Sequence, residues 1–499
     1  MNIGYGVIVI FPFKKKEKIQ QHNVEDDKIK QQIPLKISQC QELVQSIFGS
    51  SSDMIIDIFE TSKEEAMIVY IDGMVNKDLI DRDIIKPLKS NNFDGNVSLA
   101  LKSVYKEIND ISLFVEQVLN GYAAVFYGNS GNILLVEFRD WNQRSVEEPN
   151  AEAVIRGPKE GFTESIRTNT ALIRRKIKTR KLVIENLILG RLTKTAVELV
   201  YIEGIVNQDV LKELKYRLSK IDIDIILESG NIEQYIEEKP YSPISGIGVT
   251  QKPDVVAQRI AEGRVAIVCD GTPHVLTVPE LFVENLFSSE DYYNRVVFST
   301  IMRVLRIIGL FISIILPGLA VAVLTYHHEM MPSVFLTNVI SASQKTPMPM
   351  AAEVFFLTLM FELLKEAGTR LPKAIGSAIT IVGSLIVGDA AVNAGIVSAP
   401  MVIIVALTAV TSFIMPNLAE FSLVYKGVFW FFGSIMGLIG IGTAIFIMLT
   451  QLISTESFGI PILSSSSKNE MKDSVVRFPL WAMKYRPSSI AKENVKRKA

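Results

Sequence analysis

Two hydrophobic patterns divide the chain. Over residues 36–298, short apolar runs alternate with stretches whose apolar positions recur every three or four residues. "MIIDIF" and "AMIVYI" have the β-branched character of strands, while "NDISLFVEQVLN" and "ESIRTNTALIRRKI" have helical spacing. The pattern predicts an α/β region behind a polar, lysine-rich segment, 1–35, expected to be disordered or loosely helical. "VYIDGMVNKDL" from Val69 returns as "VYIEGIVNQDV" from Val200, each reading as a strand, a glycine turn (Gly73, Gly204) and a helix capped by Asn76 or Asn207. "GYAAVFYGNSGNILLVE" and "GRVAIVCDGTPHVLTVP" are a second echo, each a hairpin with a glycine turn. Two related subdomains, 36–185 and 186–298, account for both echoes.

After Asp291 the alternation gives way to long apolar stretches. Ile307–Tyr326 supplies about twenty uncharged residues, enough to cross a bilayer, with Pro317 inside it. Further spans fit Ile375–Val392, Met401–Met415 and Val428–Ile453, the last long enough to require tilt. "AAEVFFLTLMFELL" (Ala351–Leu364) is shorter and carries Glu353 and Glu362, so it reads as an interfacial or re-entrant helix. The fold class expected is a cytoplasmic α/β region of two related subdomains, a bundle of about four transmembrane helices over 299–454, and a short cytoplasmic tail, 455–499. Arg303 and Arg306 flank the first span on the side that retains positive charge. Lys365, Arg370 and Lys373 then fall on the wrong side; a fifth span would cure that and strand the basic tail outside.

Charge reinforces this division. The 499 residues carry 52 basic and 53 acidic side chains, which gives no case for a polyanion or nucleic-acid partner. Nearly all of them lie before Tyr293 or after Glu456. The first residues run apolar then basic, the reverse of a secretory signal, so the large polar part is expected to stay in the cytoplasm. Cys40 and Cys269 stand far apart without metal-ligand spacing and read as inert buried thiols.

Little in the sequence points to catalysis. His327, His328 and Glu329 sit together, but adjacent histidines on a helix point about 100° apart and do not form an i, i+4 metal pair, so an interfacial cluster is the reading preferred. No nucleophile elbow, Walker loop or dinucleotide fingerprint occurs, and no cofactor is expected. "IRGPKEGFTES" (Ile155–Ser165), with Lys159, is either an anion cradle without Walker geometry or a structural turn into a helix. The run Arg174–Lys181, expected in that same helix, is either a lipid-headgroup site or a solvated face.

"GPKEGFTESIRTNTALIRRKI", "GRVAIVCDGTPHVLTVPELF", "EDYY", "LPGLAVAV", "YHHEMMP", "FELLKEAGTRLP", "IGSAITIVGSLIVGDAAVNAGIVS" and "SFGIPIL" occur in that order. Together they resemble the A-subunit family of bacterial spore germinant receptors, the GerA type, over residues 36–485. The resemblance implies a non-enzymatic protein of the spore inner membrane. It implies partnership with a transporter-like B subunit and a lipoprotein C subunit, and a homo-oligomer that releases ions on germination. Carried over by position, Gly157, Pro158, Glu160, Gly161 and Phe162 match the N-domain signature; Asp270, Gly271 and Pro273 match the turn of the second subdomain. Glu362, Arg370 and Pro372 match a juxtamembrane motif, whereas Thr369 and Ser377 depart from the family's pattern.

Three expectations follow for these motifs. Gly157 and Gly161 hold backbone angles that only glycine tolerates. Glu362, Glu366 and Arg370 share one helix face, either contacting a neighbouring subunit or pairing locally in solvent. At 100° per residue Gly376, Ser377, Thr380, Gly383, Ser384, Val387 and Ala391 also share a face, small and slightly polar, fit for close helix packing or for lining a pore. The residues alone favour packing; the resemblance favours the pore. The alternative function is a secondary transporter with a solute site at the bilayer midplane, which the lack of a repeat in the membrane part disfavours.

Overall fold

The computed structural model describes residues 33–61, 64–90, 105–128, 131–138, 152, 154–370, 388–463, 473–491 and 496–497. The chain forms two compact units, Met1–Leu43, Ile56–Val69 and Lys77–Phe138 in one, and Val44–Ile55, Tyr70–Asn76 and Arg139–Ala499 in the other.

The first unit is built on five strands, β1 (Met54–Glu60), β2 (Glu65–Ile71), β3 (Tyr105–Ile108), β4 (Tyr122–Tyr127) and β5 (Ile133–Glu137), in the order β1-β2-β4-β5-β3. The helix Ile111–Leu119 starts where the Asp110 carboxylate accepts the Ser112 amide at 2.9 Å, and it seats Phe114 edge-on against Phe126 of β4.

In the second unit, β6 (Leu182–Leu189), β7 (Thr195–Ile202), β8 (Gly248–Thr250), β9 (Val265–Cys269) and β10 (Val275–Val278) are ordered β6-β7-β9-β10-β8. This is the first sheet's order again. The sequence echoes occupy matching places: β2 and β7 each enter a glycine turn, with φ +77° at Gly73 and +78° at Gly204, and the hairpins β4-β5 and β9-β10 correspond. Asn207 caps the next helix through the Asp209 amide. Helices cover both faces of the second sheet: Gln208–Ser219 and Ser229–Ile236 pack with Val197, Leu199 and Ile267, while Ile166–Lys176 and Pro253–Ala261 pack with Ile184, Val200 and Ala266. The basic run does not continue the helix, which ends at Lys176.

The apolar part contains α7 (Val296–Tyr326), α8 (Ser333–Ser343), α9 (Met350–Arg370), α10 (Ala399–Ser412) and α11 (Ala419–Ser454), which follow six helices of eight to twelve residues among the described residues. Among the described residues α7 and the stretch 416–454 are long and apolar enough to cross a membrane. The second is not a rod, which corrects the expectation of one tilted span. Gly437 takes φ +58° and ψ −137°, outside any helix, and the Tyr425 hydroxyl donates to Gln451 Oε1 at 2.7 Å. In a straight helix those residues would stand about 39 Å apart. α11 is therefore a hairpin of two antiparallel legs, 419–436 and 438–454.

Glycine makes that hairpin and its seat on α7. A Cβ on Gly318 would fall 2.3 Å from the Phe429 carbonyl oxygen, and one on Gly433 2.6 Å from that of Gly318. Gly437 turns against Tyr326 and His327, at the far end of α7. Gly433 and Gly437 are a G-x-x-x-G pair, a signal for close helix approach that was present in the sequence. The short segment expected to lie at the interface is the first two-thirds of α9, whose 21 residues match the length of the uncharged stretch Ile307–Tyr326 in α7.

Candidate functional site: a charged joint at the foot of α7

The chain enters α7 through two 3₁₀ turns, Phe282–Leu286 and Ser289–Tyr292. Asp291 accepts the Ser288 amide, so its carboxylate is held at the mouth of the helix. Arg303 and Arg306, one turn apart, both reach it. Arg303 Nε donates to Oδ2 at 3.0 Å, and Arg306 donates to both carboxylate oxygens at 2.7 and 2.8 Å. Arg306 also donates to the Leu286 carbonyl at 3.0 Å. Arg303 Nη1 turns the other way, to Oδ1 and the backbone carbonyl of Asp473 in the tail, at 2.9 and 2.8 Å. Tyr292 donates to the second oxygen of Asp473 at 2.9 Å, and the Arg303 guanidinium lies over the rings of Phe287 (4.1 Å) and Tyr292 (5.5 Å). Arg477 completes the cluster: its amide donates to Thr300 Oγ1 and its guanidinium to the Tyr292 carbonyl.

The two carboxyls are tuned apart. Burial pushes Asp291 up, but Arg306 and then Arg303 outweigh burial and hold it below the usual carboxylate range. For Asp473 burial wins over Arg303, and the group sits above its ordinary value. On acidification Asp473 takes its proton first, so the tail is the side of the joint that loosens first. Beside the joint lies a cavity of about 510 Å³, lined among others by Lys252, Arg259, Glu284, Arg306 and Met415.

Sequence reading found Arg303 and Arg306 only as flanking positive charge and Asp291 and Tyr292 only within the family motif "EDYY", and missed Asp473 and Arg477. The missed signal is two arginines three apart at the edge of an apolar helix, a pair that requires buried counter-charge.

The structure brings together two of the motifs singled out in the sequence. Asp270 Oδ1 accepts the Ile166 amide at 3.1 Å, at the start of helix Ile166–Lys176, and the Gly271 amide donates to the Glu164 carbonyl at 2.8 Å. Phe162 is buried beneath this contact in the second sheet's core. Gly157 has φ +141°, and a Cβ there would meet the Tyr293 ring at 2.8 Å; Gly161 has no positive φ, and the expectation for it does not hold. Pro158 lies in irregular backbone between them. Glu160 pairs with Lys176 at 3.1 Å and Arg175 at 3.3 Å; burial raises it, but these cations bring it below its ordinary value. Arg174 is neither a lipid contact nor solvated. It is buried in a two-pronged pair with Asp53, both bonds 2.9 Å, and donates to Ser51 as well.

In the apolar part, Glu362 does not point its charge outward: Lys426 of α11, itself buried, donates to it at 2.8 Å. Arg370 pairs with Glu366 on its own helix, both exposed. Glu353, wholly buried, accepts the Ser398 amide and hydroxyl at 2.9 and 2.6 Å and so holds the start of α10. Pro372, Gly376, Ser377, Thr380, Gly383, Ser384 and Val387 lie outside the described residues. Ala391, the one described member of that face, is packed with Val321, Leu324 and Met401. His327 abuts the Gly437 turn, His328 begins a single 3₁₀ turn, and both cysteines are free and buried.

Comparison with known proteins gives one consistent answer. Residues 42–489 match the family model described as Bacillus/Clostridium GerA spore germination protein. Spore germination protein KA of Bacillus subtilis (strain 168) is 41% identical over 463 residues, covering 89% of this chain and 85% of its own. The uncharacterized membrane protein YfkQ of the same organism is 41% identical over 440 residues, 86% of each chain. The crystal structure of the N-terminal domain of the A subunit of the Bacillus megaterium spore germinant receptor GerK3 aligns at TM-score 0.41 and 34% identity, covering 50% of this chain and 98% of that one. The chain belongs to the GerA spore germination protein family.

Proposed function

We propose that the chain is the A subunit of a spore nutrient germinant receptor and carries a nutrient signal from its cytoplasmic domain to an ion pathway across the spore inner membrane. It acts as a homo-oligomer with a transporter-like B subunit and a lipoprotein C subunit, and performs no catalysis. The observation that carries this reading is the joint: Arg303, wholly buried, bonds the soluble domain's Asp291 and the tail's Asp473 from within α7. A movement of either one therefore reaches the helix.

The hairpin also supports a topology of six crossings. α7 runs outward to the Gly437 turn. α10 begins beside Glu353 and Leu324 near that end, and the chain after it reaches Gly309 near the foot, so α10 runs inward. α9 runs the same way, since Ala351 bonds Trp430 and Lys365 lies against Phe413. That both run inward is consistent with the crossing expected from the sequence over Ile375–Val392. The two legs of α11 complete the six. Lys365 and Arg370 come to the inner side together with the tail, which removes both charge conflicts of the sequence reading.

The small face Gly376, Ser377, Thr380, Gly383, Ser384 and Val387 is proposed to line the pathway, with Ala391 marking where lining gives way to packing. The test is ion release from the complete receptor in proteoliposomes, with and without nutrient. Val387→Ser is expected to leak without nutrient and Thr380→Phe to block. Cysteines along this face that resist thiol-reactive cations in both resting and triggered complexes would place the pathway elsewhere, and solute accumulation against a gradient would replace a channel with a transporter.

A further inference from the structure

The tail beside the joint is inside out. Arg477 is buried, 3% exposed, while its apolar neighbours face outward: Leu480 is 60% and Trp481 79% exposed, and Val475, Val476 and Phe478 follow the same pattern. The first turns of α7 repeat this inversion, with Ser299 and Arg303 buried and Val297 72%, Phe298, Ile301 and Leu305 exposed. A surface meeting water has the opposite order. The two stretches are one surface, because Arg477 and Asp473 are bonded to Thr300 and Arg303.

We propose that residues 475–482 are a membrane-surface anchor, seated among the headgroups of the inner leaflet beside the foot of α7. The proposal rests on the reading of α7 as a crossing helix. Its 31 residues are about 46 Å long, while a hydrocarbon core is about 30 Å, so roughly the first ten residues lie at headgroup depth. Thr300 is among them, and the tail is bonded there. Lipid is the occupant because the outward apolar surface continues up α7 through Ile308 and Phe311, and α11 likewise turns Phe446 and Ile453 outward. The other inner end of the helical part bears the same kind of residue: Tyr241 is 100% exposed two residues from Lys239, whose ammonium donates to the Ser454 carbonyl at the end of α11. Aromatic rings at this depth on two sides form the belt that interfacial solvation favours, and Lys484 and Lys496, both exposed, follow in the tail where acidic headgroups attract them. Leu480–Ala482 is a single 3₁₀ turn, so the segment lies along the surface without entering it deeply.

The test uses the full chain in lipid nanodiscs containing equal phosphatidylglycerol and phosphatidylcholine. Trp481 fluorescence is taken as the difference between the parent and Trp481→Phe, with spin-labelled lipids as quenchers. A label near the headgroup is expected to quench at least twice as strongly as one at the end of the acyl chain. A nitroxide on Leu480→Cys repeats the measurement, the native Cys40 and Cys269 being buried, and one on Phe311→Cys reports the depth of α7. If the Phe311 label lies deep while Trp481 and the Leu480 label are unquenched by any lipid, α7 crosses and the anchor does not exist; a second copy or another protein covering the tail gives this result. If the Phe311 label is water-exposed, the crossing reading falls and the anchor falls with it.

Discussion

The second sheet and the helical part solve opposite packing problems with the same residue types. In the sheet, Val, Ile and Leu turn inward between two helical layers, and burial from water supplies roughly 25 cal/mol per Å². In the helical part, large apolar side chains such as Phe446 and Ile439 face outward, while Arg303, Glu353 and Lys426 are buried. On the proposed membrane-crossing reading lipid offers no gain for hiding a leucine, and what holds these helices is close backbone approach at Gly318, Gly433 and Gly440 and internal ion pairs. The difference teaches where substitution is dangerous: large residues in the sheet, small and charged ones among the helices.

The sharpest way to break the comparison is to enlarge a helical glycine. A Cβ on Gly440 would lie 1.9 Å from the Phe432 carbonyl oxygen across the hairpin, and backbone cannot step aside. Gly440→Val is expected to cost well over about 3 kcal/mol and leave no folded protein in detergent, as read by thermal unfolding and monodispersity. Gly442, two residues on, has nothing within 4 Å of its added Cβ. Gly442→Leu should fold normally. Equal loss from both would mean that helix propensity, not contact across the hairpin, decides.

The joint gives the next largest effect. Arg303→Met leaves Asp291 and Asp473 buried with half their partners gone, which should cost about 3–5 kcal/mol. The double variant with Asp291→Asn removes one stranded charge and should recover part of that loss. A midpoint unchanged in the single variant would show that the cluster contributes nothing net.

The sequence made the part built on the two sheets legible and the helical part only partly so, for a physical reason. Strand alternation, glycine turns and the echo at Val69 and Val200 are local signals, and they lead to two sheets of one topology. Gly437 is equally local, yet it lies within an apolar run of the length a single tilted span requires, and hydropathy does not register a fold-back. The joint was hidden because Asp473 lies 170 residues from Arg303. Arg174 misled for the same reason: its partner Asp53 precedes it by 121 residues, so a basic run looked like a surface.

A smaller effect separates the sheet from the helices by pH. Glu198 of β7 is raised to about 7, first by burial and then by Asp53 and Asp72. The folded state therefore holds its proton up to about pH 7, whereas the unfolded chain gives it up near the ordinary glutamate value. Stability from this group falls as pH rises between those points and is level outside them. Partial exposure reduces the effect to about 1 kcal/mol. Glu198→Gln should flatten the midpoint's dependence over that range. A parallel fall in both proteins would assign it to other groups.

The smallest effect on stability is expected at Arg370, and it tests the proposed juxtamembrane contact made of Glu362, Arg370 and Pro372. Glu362 has its counter-charge inside the chain, so Glu362→Gln should destabilise the chain by leaving Lys426 buried without a carboxylate. Among the described residues Arg370 has an exposed partner one turn away, a pair worth about 0.3–0.5 kcal/mol. Arg370→Glu should thus move the unfolding midpoint very little. If its guanidinium also meets a neighbouring subunit at the membrane surface, the native mass of the solubilised complex should fall while the midpoint stays, because a charge reversal in a contact acts on assembly and not on the fold of one chain. An unchanged mass with Arg370→Glu would confine the residue to its own helix and remove the contact. Loss of mass with Glu362→Gln, at a normal midpoint, would instead mean that the buried pair with Lys426 is not what Glu362 is for.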